Sequence, residues 1–428
     1  MTIALYLNDL GFTNLDLSNP IYGNEGIGGT QYCFVMLADA LVKYTDTRVV
    51  LYHYNSNTFP NGVLDRRIEA REQIFSFLKS DGVDIIIFKA EGITDFVKRL
   101  RKSNIKSIVW AHNYIFADEL REYTDNHAIS RVVFVGHEMY DRYLDHPILS
   151  KATFVYNMFD GRVFPQRELP LVPSVTYMGS LIPAKGFHIL AEAWKDIVKR
   201  VPGAQLYVIG DGKLYNRKTE LGPYGIAEIE YENSFMRYLT DNGRIMDSVH
   251  FMGTMGKEKV QILKKTTVGV MNPSGRTETF GLSAIEMSAC GIPVVTKKAN
   301  GLFDTVKDGK TGYLVKSRNS LKRRITRLLT DNTLNIELGK AGKEFANVAF
   351  LPESIIKEWT DIFECVLLEK MSEPIKHSTH LANNAKWIRI INSKIQKCGL
   401  KTMPLIDLEC SVKRLKSALK RSTWRKKT

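Results

Sequence analysis

Residues 271–296 read MNPSGRTETFGLSAIEMSACGIPVVT, and the rest of the chain is organised around them. The stretch opens at the end of an apolar run (Val268, Val270, Met271) and passes through a polar loop from Asn272 to Thr277. Glu278, the pair Phe280-Gly281, a short helical pattern and the apolar run Ile292 to Val295 follow. Strand, loop, helix, strand is the unit that parallel sheets repeat. Two glutamates, Glu278 and Glu286, stand eight residues apart. On one helix they would lie on poorly aligned faces. The spacing therefore puts Glu278 on the loop before the helix and Glu286 on the second turn. Two carboxylates then flank a helix N-terminus whose unbonded amides, at Phe280, Gly281 and Leu282, suit a phosphate.

The stretch resembles the E-x7-E signature of retaining glycosyltransferases with the GT-B fold, family-4 type. The run Glu-Thr-Phe-Gly-Leu, then Glu, then Gly-Ile-Pro-Val-Val carries the likeness. The resemblance implies that Glu278 contacts the donor sugar and that Glu286 contacts the ribose hydroxyls of a nucleotide.

With 428 residues, 44% hydrophobic and 25% charged, the chain has the composition of a globular protein long enough for two domains. No apolar run approaches the roughly 20 residues of a membrane span. The start, MTIALYLNDL, lacks a basic region before its apolar residues and reads as a first strand, not a signal peptide. Cys33, Cys290, Cys365, Cys398 and Cys410 show neither metal nor disulfide spacing, which suits a reducing cytoplasm. The net charge of +14 is uneven: from Ala385 onward 13 Lys/Arg meet two acids, a net +11, leaving +3 for the body.

In the first half, apolar runs recur at Ile3–Leu7, Val49–Tyr54, Val83–Phe88, Ser107–Trp110, Val132–Val135 and Thr153–Tyr156, with helical patterns between them. This alternation predicts a doubly wound parallel sheet with ligands at the carboxyl ends of its strands. A loop with Gly23, Gly26, Gly28 and Gly29 precedes a helix expected over about 30–43. Its spacing is not G-x-G-x-x-G, and no acid closes the second strand, which argues against a nicotinamide site. The pair Gly28-Gly29 resembles the family's glycine turn, whose amides face the donor diphosphate or the acceptor. His112, in Trp-Ala-His-Asn after the fourth apolar run, matches a histidine that the family points at the donor sugar.

Tyr156-Asn157-Met158-Phe159-Asp160 resembles the turn that closes the family's first domain, and Pro165, Pro170 and Pro173 suit a linker. The expected division is 1–164 for an acceptor-side domain and 165–350 for a nucleotide-sugar domain. A returning helix over 351–370 and a basic tail over 385–428 complete it. Gly179-Ser180-Leu181-Ile182-Pro183-Ala184-Lys185-Gly186 resembles the family's Gly-Arg-x4-Lys-Gly, in which the arginine and lysine grip the pyrophosphate. Gly179, Lys185 and Gly186 match; Ser180 stands in place of the arginine, and Arg276 is the nearest substitute. Leu214 to Ile245 is polar and lacks a clean period, and reads as an insertion at the cleft. Asp308 to Val315 resembles the family's Asp-Gly-x-x-Gly-x-Leu-Val hairpin.

In the tail, Trp387, Ile388, Ile391 and Ile395 fall near helical spacing, and Val412, Leu415 and Leu419 lie among Lys413, Arg414, Lys416, Lys420 and Arg421. A basic amphipathic segment suits an anionic membrane surface; the other reading is a disordered solubilising tail. The body shows no nucleic-acid motif.

The resemblance thus implies a retaining GT-B glycosyltransferase with two Rossmann-like α/β domains facing across a cleft. It would move sugar from a UDP- or GDP-sugar to a saccharide or lipid-linked saccharide acceptor in surface polysaccharide or glycoconjugate assembly. The setting would be the inner face of the cell membrane. No Asp-x-Asp motif is apparent, so no catalytic metal is expected; no cofactor is expected either, the nucleotide sugar being a substrate. Two alternatives stay open: an epimerase-type relative acting on sugar nucleotides, and a catalytically weakened membrane-associated scaffold.

Overall fold

The computed structural model describes residues 1–213 and 218–425, with side chains as far as residue 416. Strands β1 (Thr2–Tyr6), β2 (Arg48–His53), β3 (Leu64–Arg67), β4 (Ile85–Lys89), β5 (Lys106–Ala111), β6 (Ile129–Phe134) and β7 (Ala152–Phe154) form one sheet in the order β3-β2-β1-β4-β5-β6-β7. The register is regular, with Ile3 to Tyr6 opposite Ile85 to Phe88. Six of these strands lie on the apolar runs named above. The seventh, Leu64–Arg67, has the sequence LDRR and a largely exposed face, so it carries no hydrophobic signal. As an edge strand it needs no apolar residues.

After β8 (Ser174–Met178) and β9 (Gln205–Ile209), a small antiparallel pair, β10 (Thr240–Asp241) and β11 (Arg244–Ile245), precedes β12 (Val249–Gly253), β13 (Val268–Val270), β14 (Val294–Lys297) and β15 (Gly312–Val315). The second parallel sheet runs β12-β9-β8-β13-β14-β15. Both sheets reverse direction beside their first strand, giving the doubly wound order in which ligands bind beyond the carboxyl ends at the reversal. In the second sheet that point lies between β8 and β13. The strands that precede Lys185 and Glu278 are therefore neighbours.

The second core is built on Val175, Tyr177, Leu190, Trp194, Leu206, Val208, Val268 and Val270. Trp194 and Ile197 come from the helix Phe187–Arg200, whose buried positions follow helical spacing. By contact the chain divides into two compact units. One comprises residues 1–6, 68–155 and 358–428, and the other 7–67 and 156–357.

Two sequence expectations change in detail. Of the insertion expected over 214–245, residues 214–217 lie outside the described residues. The remainder holds a helix, Ile229–Met236, which buries Tyr231, Phe235 and Met236 in the second core. Its polar appearance has a cause: Glu232, wholly buried, accepts hydrogen bonds from the amides of Tyr224, Ile226 and Ala227 and shapes the loop before the helix. The segment 308–315 is a turn leading into a strand parallel to β14, not a hairpin. The amide of Gly309 is bonded to the carbonyl of Gly312 within that turn.

The tail forms two helices, Lys386–Lys397 and Leu405–Arg425; the side chains of Leu419, Lys420 and Arg421 lie outside the described residues. Lys386 is buried, with Nζ 3.0 Å from Glu138 and 2.6 Å from Asp141. Arg389, also buried, lies 3.6 Å from Asp145 and pairs with Glu409. Two of the tail's cations are thus interior counter-ions of the segment 138–145. Among the described residues no helix is long and apolar enough to cross a membrane.

Candidate functional site

The loop that follows β13 is held by side-chain hydrogen bonds from Asn272, Ser274 and Asn300, with Asn272 at their centre. Asn272, with φ of 35°, accepts the amide of Gly275 (3.0 Å) and donates to the carbonyl of Arg276 (3.1 Å) and to Glu278 Oε2 (2.8 Å). Asparagine tolerates the left-handed region better than most residues. Thr277, at φ of 57°, does not, and it directly precedes Glu278. A β-branched residue in that region costs about 1–3 kcal/mol and is held there by its surroundings. Glu278 is therefore presented by a strained, over-determined turn.

The loop after β8 meets it. A turn at Pro183–Lys185 ends in Gly186 at φ of 71°, and a Cβ there would lie 2.6 Å from the amide nitrogen of Ser274. Only glycine allows the two loops to touch. Ser274 Oγ closes the contact by donating to the carbonyl of Ala184. Lys185 Nζ then lies 2.7 Å from Glu278 Oε2. Burial pushes the Glu278 carboxyl up, but the charge of Lys185, its hydrogen bond and that of Asn272 outweigh burial and lower its pKa. Glu278 is held as a carboxylate.

Glu286 sits on the second turn of the helix Leu282–Ala289, which begins after Gly281 at φ of 97°. Its Oε1 is 3.0 Å from Nζ of Lys259, the first residue of the helix Lys259–Leu263, and both side chains are at most 6% exposed. The two ion pairs line a single cavity of about 220 Å³. Gly179, Ser180, Asp211, Leu282 and Ser283 contribute further walls, together with Asn24, Gly26, Ile27 and Gly29 from the loop and helix start that follow β1. All of these residues belong to the unit made of 7–67 and 156–357. The Asn24 side chain shapes its loop by accepting the amides of Gly26 and Ile27 at 2.9 Å.

Of the residues singled out from sequence, Gly29, Gly179, Lys185, Glu278, Leu282 and Glu286 come together on this cavity. Gly28, Arg276, Phe280 and Gly281 are not among the described residues lining it. Gly28 and Gly281 cap the two helices, and Arg276 is exposed. The Phe280 ring is buried against Tyr156 and Phe350. His112 follows β5 in the other unit, its ring 4.5 Å from that of Trp110. Burial, with a smaller push from Lys89, lowers its pKa to about 3, so the imidazole is neutral.

Sequence reading missed Lys259 and Asn272. Lys259 stands in Gly-Lys-Glu-Lys, where nothing in the pattern separates a buried lysine from its exposed neighbours. Its place just beyond β12, at a carboxyl strand end, is the signal that was there to use. Asn272 opens the quoted loop, and an asparagine at a strand end is a candidate for the left-handed turn it makes.

The fold and this cavity define a class: two Rossmann-like parallel-sheet domains of the GT-B type, with a site at the reversal of the second sheet. Residues 170–345 match the family model Glycosyl transferases group 1. An uncharacterized glycosyltransferase of Methanocaldococcus jannaschii is 26% identical over 297 residues, 69% of each chain. The capsular polysaccharide biosynthesis glycosyltransferase CapM of Staphylococcus aureus is 27% identical over 197 residues, covering 46% of this chain and 47% of CapM. In fold, the chain is similar to Anabaena HepE, solved in complex with UDP-glucose. The TM-score is 0.62 at 16% identity, over 85% of this chain and 99% of HepE.

Proposed function

We propose that this protein is a retaining glycosyltransferase that moves a sugar from a nucleotide-sugar donor to a saccharide or lipid-linked saccharide acceptor in surface polysaccharide or glycoconjugate assembly. The observation that carries the reading is the meeting of Lys185–Glu278 and Lys259–Glu286 on one cavity, all four residues lying within the matched segment. Lys185 neutralises charge on the departing diphosphate, where a preorganised cation in a partly dry site acts most strongly. Glu278 receives hydroxyls of the donor sugar, and Glu286 those of the ribose. The bond between the anomeric carbon and the phosphate oxygen breaks. The acceptor oxygen bonds to the same face, and its proton passes to the released phosphate. No divalent cation is required.

UDP-sugars are the first donors to test, because HepE was solved with UDP-glucose, and GDP-sugars the second. CapM's part in capsular polysaccharide biosynthesis supports a saccharide acceptor. A lipid-linked acceptor would place the enzyme on the inner membrane face. Exposed Trp387, Ile391, Leu400 and Met403, near exposed Lys394, Lys397 and Lys401, support peripheral attachment there.

The test is release of nucleoside diphosphate from a panel of UDP- and GDP-sugars, with and without saccharide acceptors, in EDTA. Release that rises with acceptor, with NMR showing retained configuration in the product, is the expected result. Epimer or free sugar formed at full rate without acceptor would point to the epimerase-type alternative. Failure to bind any nucleotide sugar would leave a scaffold.

A further inference from the structure

Ser180 has no part in the reading above beyond lining the cavity, and Lys259 enters it only as the partner of Glu286. Lys259 is almost wholly enclosed, yet among the described residues its ammonium hydrogen-bonds only Glu286 Oε1. An ammonium has three N–H donors, so two remain for whatever enters. Ser180 is 4% exposed, and its Oγ is buried without a hydrogen-bond partner among the described residues. A buried hydroxyl left unbonded is costly, and this one lies on the cavity wall beside Gly179 and Lys185. The charged side chains lining the cavity are Lys185 and Lys259 against Asp211, Glu278 and Glu286, a net charge of −1. A diphosphate entering that set with Lys185 as its sole cation would face an excess of carboxylate. A second enclosed cation turned toward the diphosphate, with a neutral donor beside it, lessens that excess without abolishing it.

We propose that Lys259 is the second cation of the diphosphate site and that the Ser180 hydroxyl donates to the same diphosphate. This inference rests on the nucleotide-sugar reading and deepens it. Position 180 keeps a neutral hydroxyl because the charge comes instead from the helix that follows β12. Lys259 then has two tasks: it holds Glu286 toward the ribose and directs its remaining N–H donors to phosphate.

The test separates those tasks by measuring binding of UDP and uridine, with GDP and guanosine in parallel. Lys259→Met alone would strand a buried carboxylate, so the comparison is made between Glu286→Gln and Glu286→Gln/Lys259→Met, both checked for a cooperative melt. The expected result is a roughly tenfold weaker diphosphate in the double variant with nucleoside binding unchanged within about twofold, since a charge-assisted bond to phosphate is lost and the ribose contact is not. Ser180→Ala should weaken the diphosphate severalfold, again with no effect on nucleoside. Equal diphosphate affinity in the single and double variants, or a parallel loss of nucleoside, would overturn the role of Lys259 while leaving the nucleotide site standing. If the wild-type protein binds none of the four probes, the nucleotide-sugar reading itself falls, and this inference with it.

Discussion

Lys185 Nζ and Glu278 Oε2 are 2.7 Å apart, although 93 positions separate the residues in the chain. The contact exists because β8 and β13 are neighbours and because Gly186 lets the loop after one strand touch the loop after the other. An interior ion pair gives little net stability, since desolvation offsets most of the attraction. Its value lies elsewhere: it fixes a carboxylate and an ammonium in place on the cavity wall.

The first prediction concerns acid. The pKa of Glu278 is lowered from its ordinary value of 4.5. A carboxyl whose folded value lies below its unfolded value contributes stability that is present above 4.5 and is lost as pH falls through the folded value. Wild-type protein should therefore lose stability faster than Glu278→Gln between about pH 5 and pH 3 in urea titrations. Other carboxylates act equally in both proteins, so the difference isolates this one. Superimposable pH profiles would mean that Lys185 does not stabilise the ionised form.

The second concerns Gly186→Ala. A left-handed φ costs a non-glycine residue about 1–2 kcal/mol, and the new methyl would meet the backbone of Ser274 at 2.6 Å. Both loops must shift. A displacement of about 1 Å at a reacting centre costs up to about 100-fold in rate. We expect a lower melting temperature by circular dichroism and a fall of more than about tenfold in kcat/KM for donor turnover. A variant that melts lower but turns over normally would show that the two loops have slack.

Much of this was legible in the sequence, and the exceptions have physical reasons. Strands with apolar side chains on both faces announce themselves, as Ile85–Lys89 does; Leu64–Arg67, on an edge and mostly solvated, does not. Lys185, Glu278 and Glu286 follow strand ends in a recognisable run of residue types. Lys259 reaches the cavity paired with a distant glutamate, and a pairing across 27 positions leaves no local pattern. Glu232 misled for the same reason: a buried carboxylate that bonds backbone amides looks, in sequence, like a surface charge.

The third prediction concerns His112, whose pKa burial holds at about 3 against an ordinary 6.5. The unfolded chain takes up a proton near 6.5 that the folded chain refuses. Stability from this residue is present above 6.5 and declines as pH falls toward 3. Its imidazole should show no titration between about pH 5 and 8 in NMR spectra. His112→Gln should lose less stability on acidification than wild type. An imidazole resonance that shifts near neutrality would show that the site admits water.

The last prediction concerns the tail, where the structure changes the experiment that its charge suggests. Removing residues 385–428 looks like a clean test of membrane attachment, but Lys386 and Arg389 are the interior counter-ions of Glu138, Asp141 and Asp145. Asp145 also accepts hydrogen bonds from Asn392 and from the amide of Leu405. Truncation would strand three buried carboxylates, and losing the partner of one buried pair costs about 3–5 kcal/mol. The truncated protein should melt well below wild type, so its failure to bind vesicles would say nothing about attachment. The informative variant is Trp387→Ser/Ile391→Ser, because both side chains are about half exposed, at 52% and 49%. It should keep the wild-type melting temperature and sediment less with anionic phosphatidylglycerol vesicles. Wild-type binding should weaken as salt is raised, since screening confines surface charge to about 8 Å at physiological ionic strength. If the double variant still sediments like wild type, the exposed face of these helices is not the attachment surface. An unchanged melting temperature in the truncated protein would show that the ion pairs around residues 138–145 do not hold the tail in place.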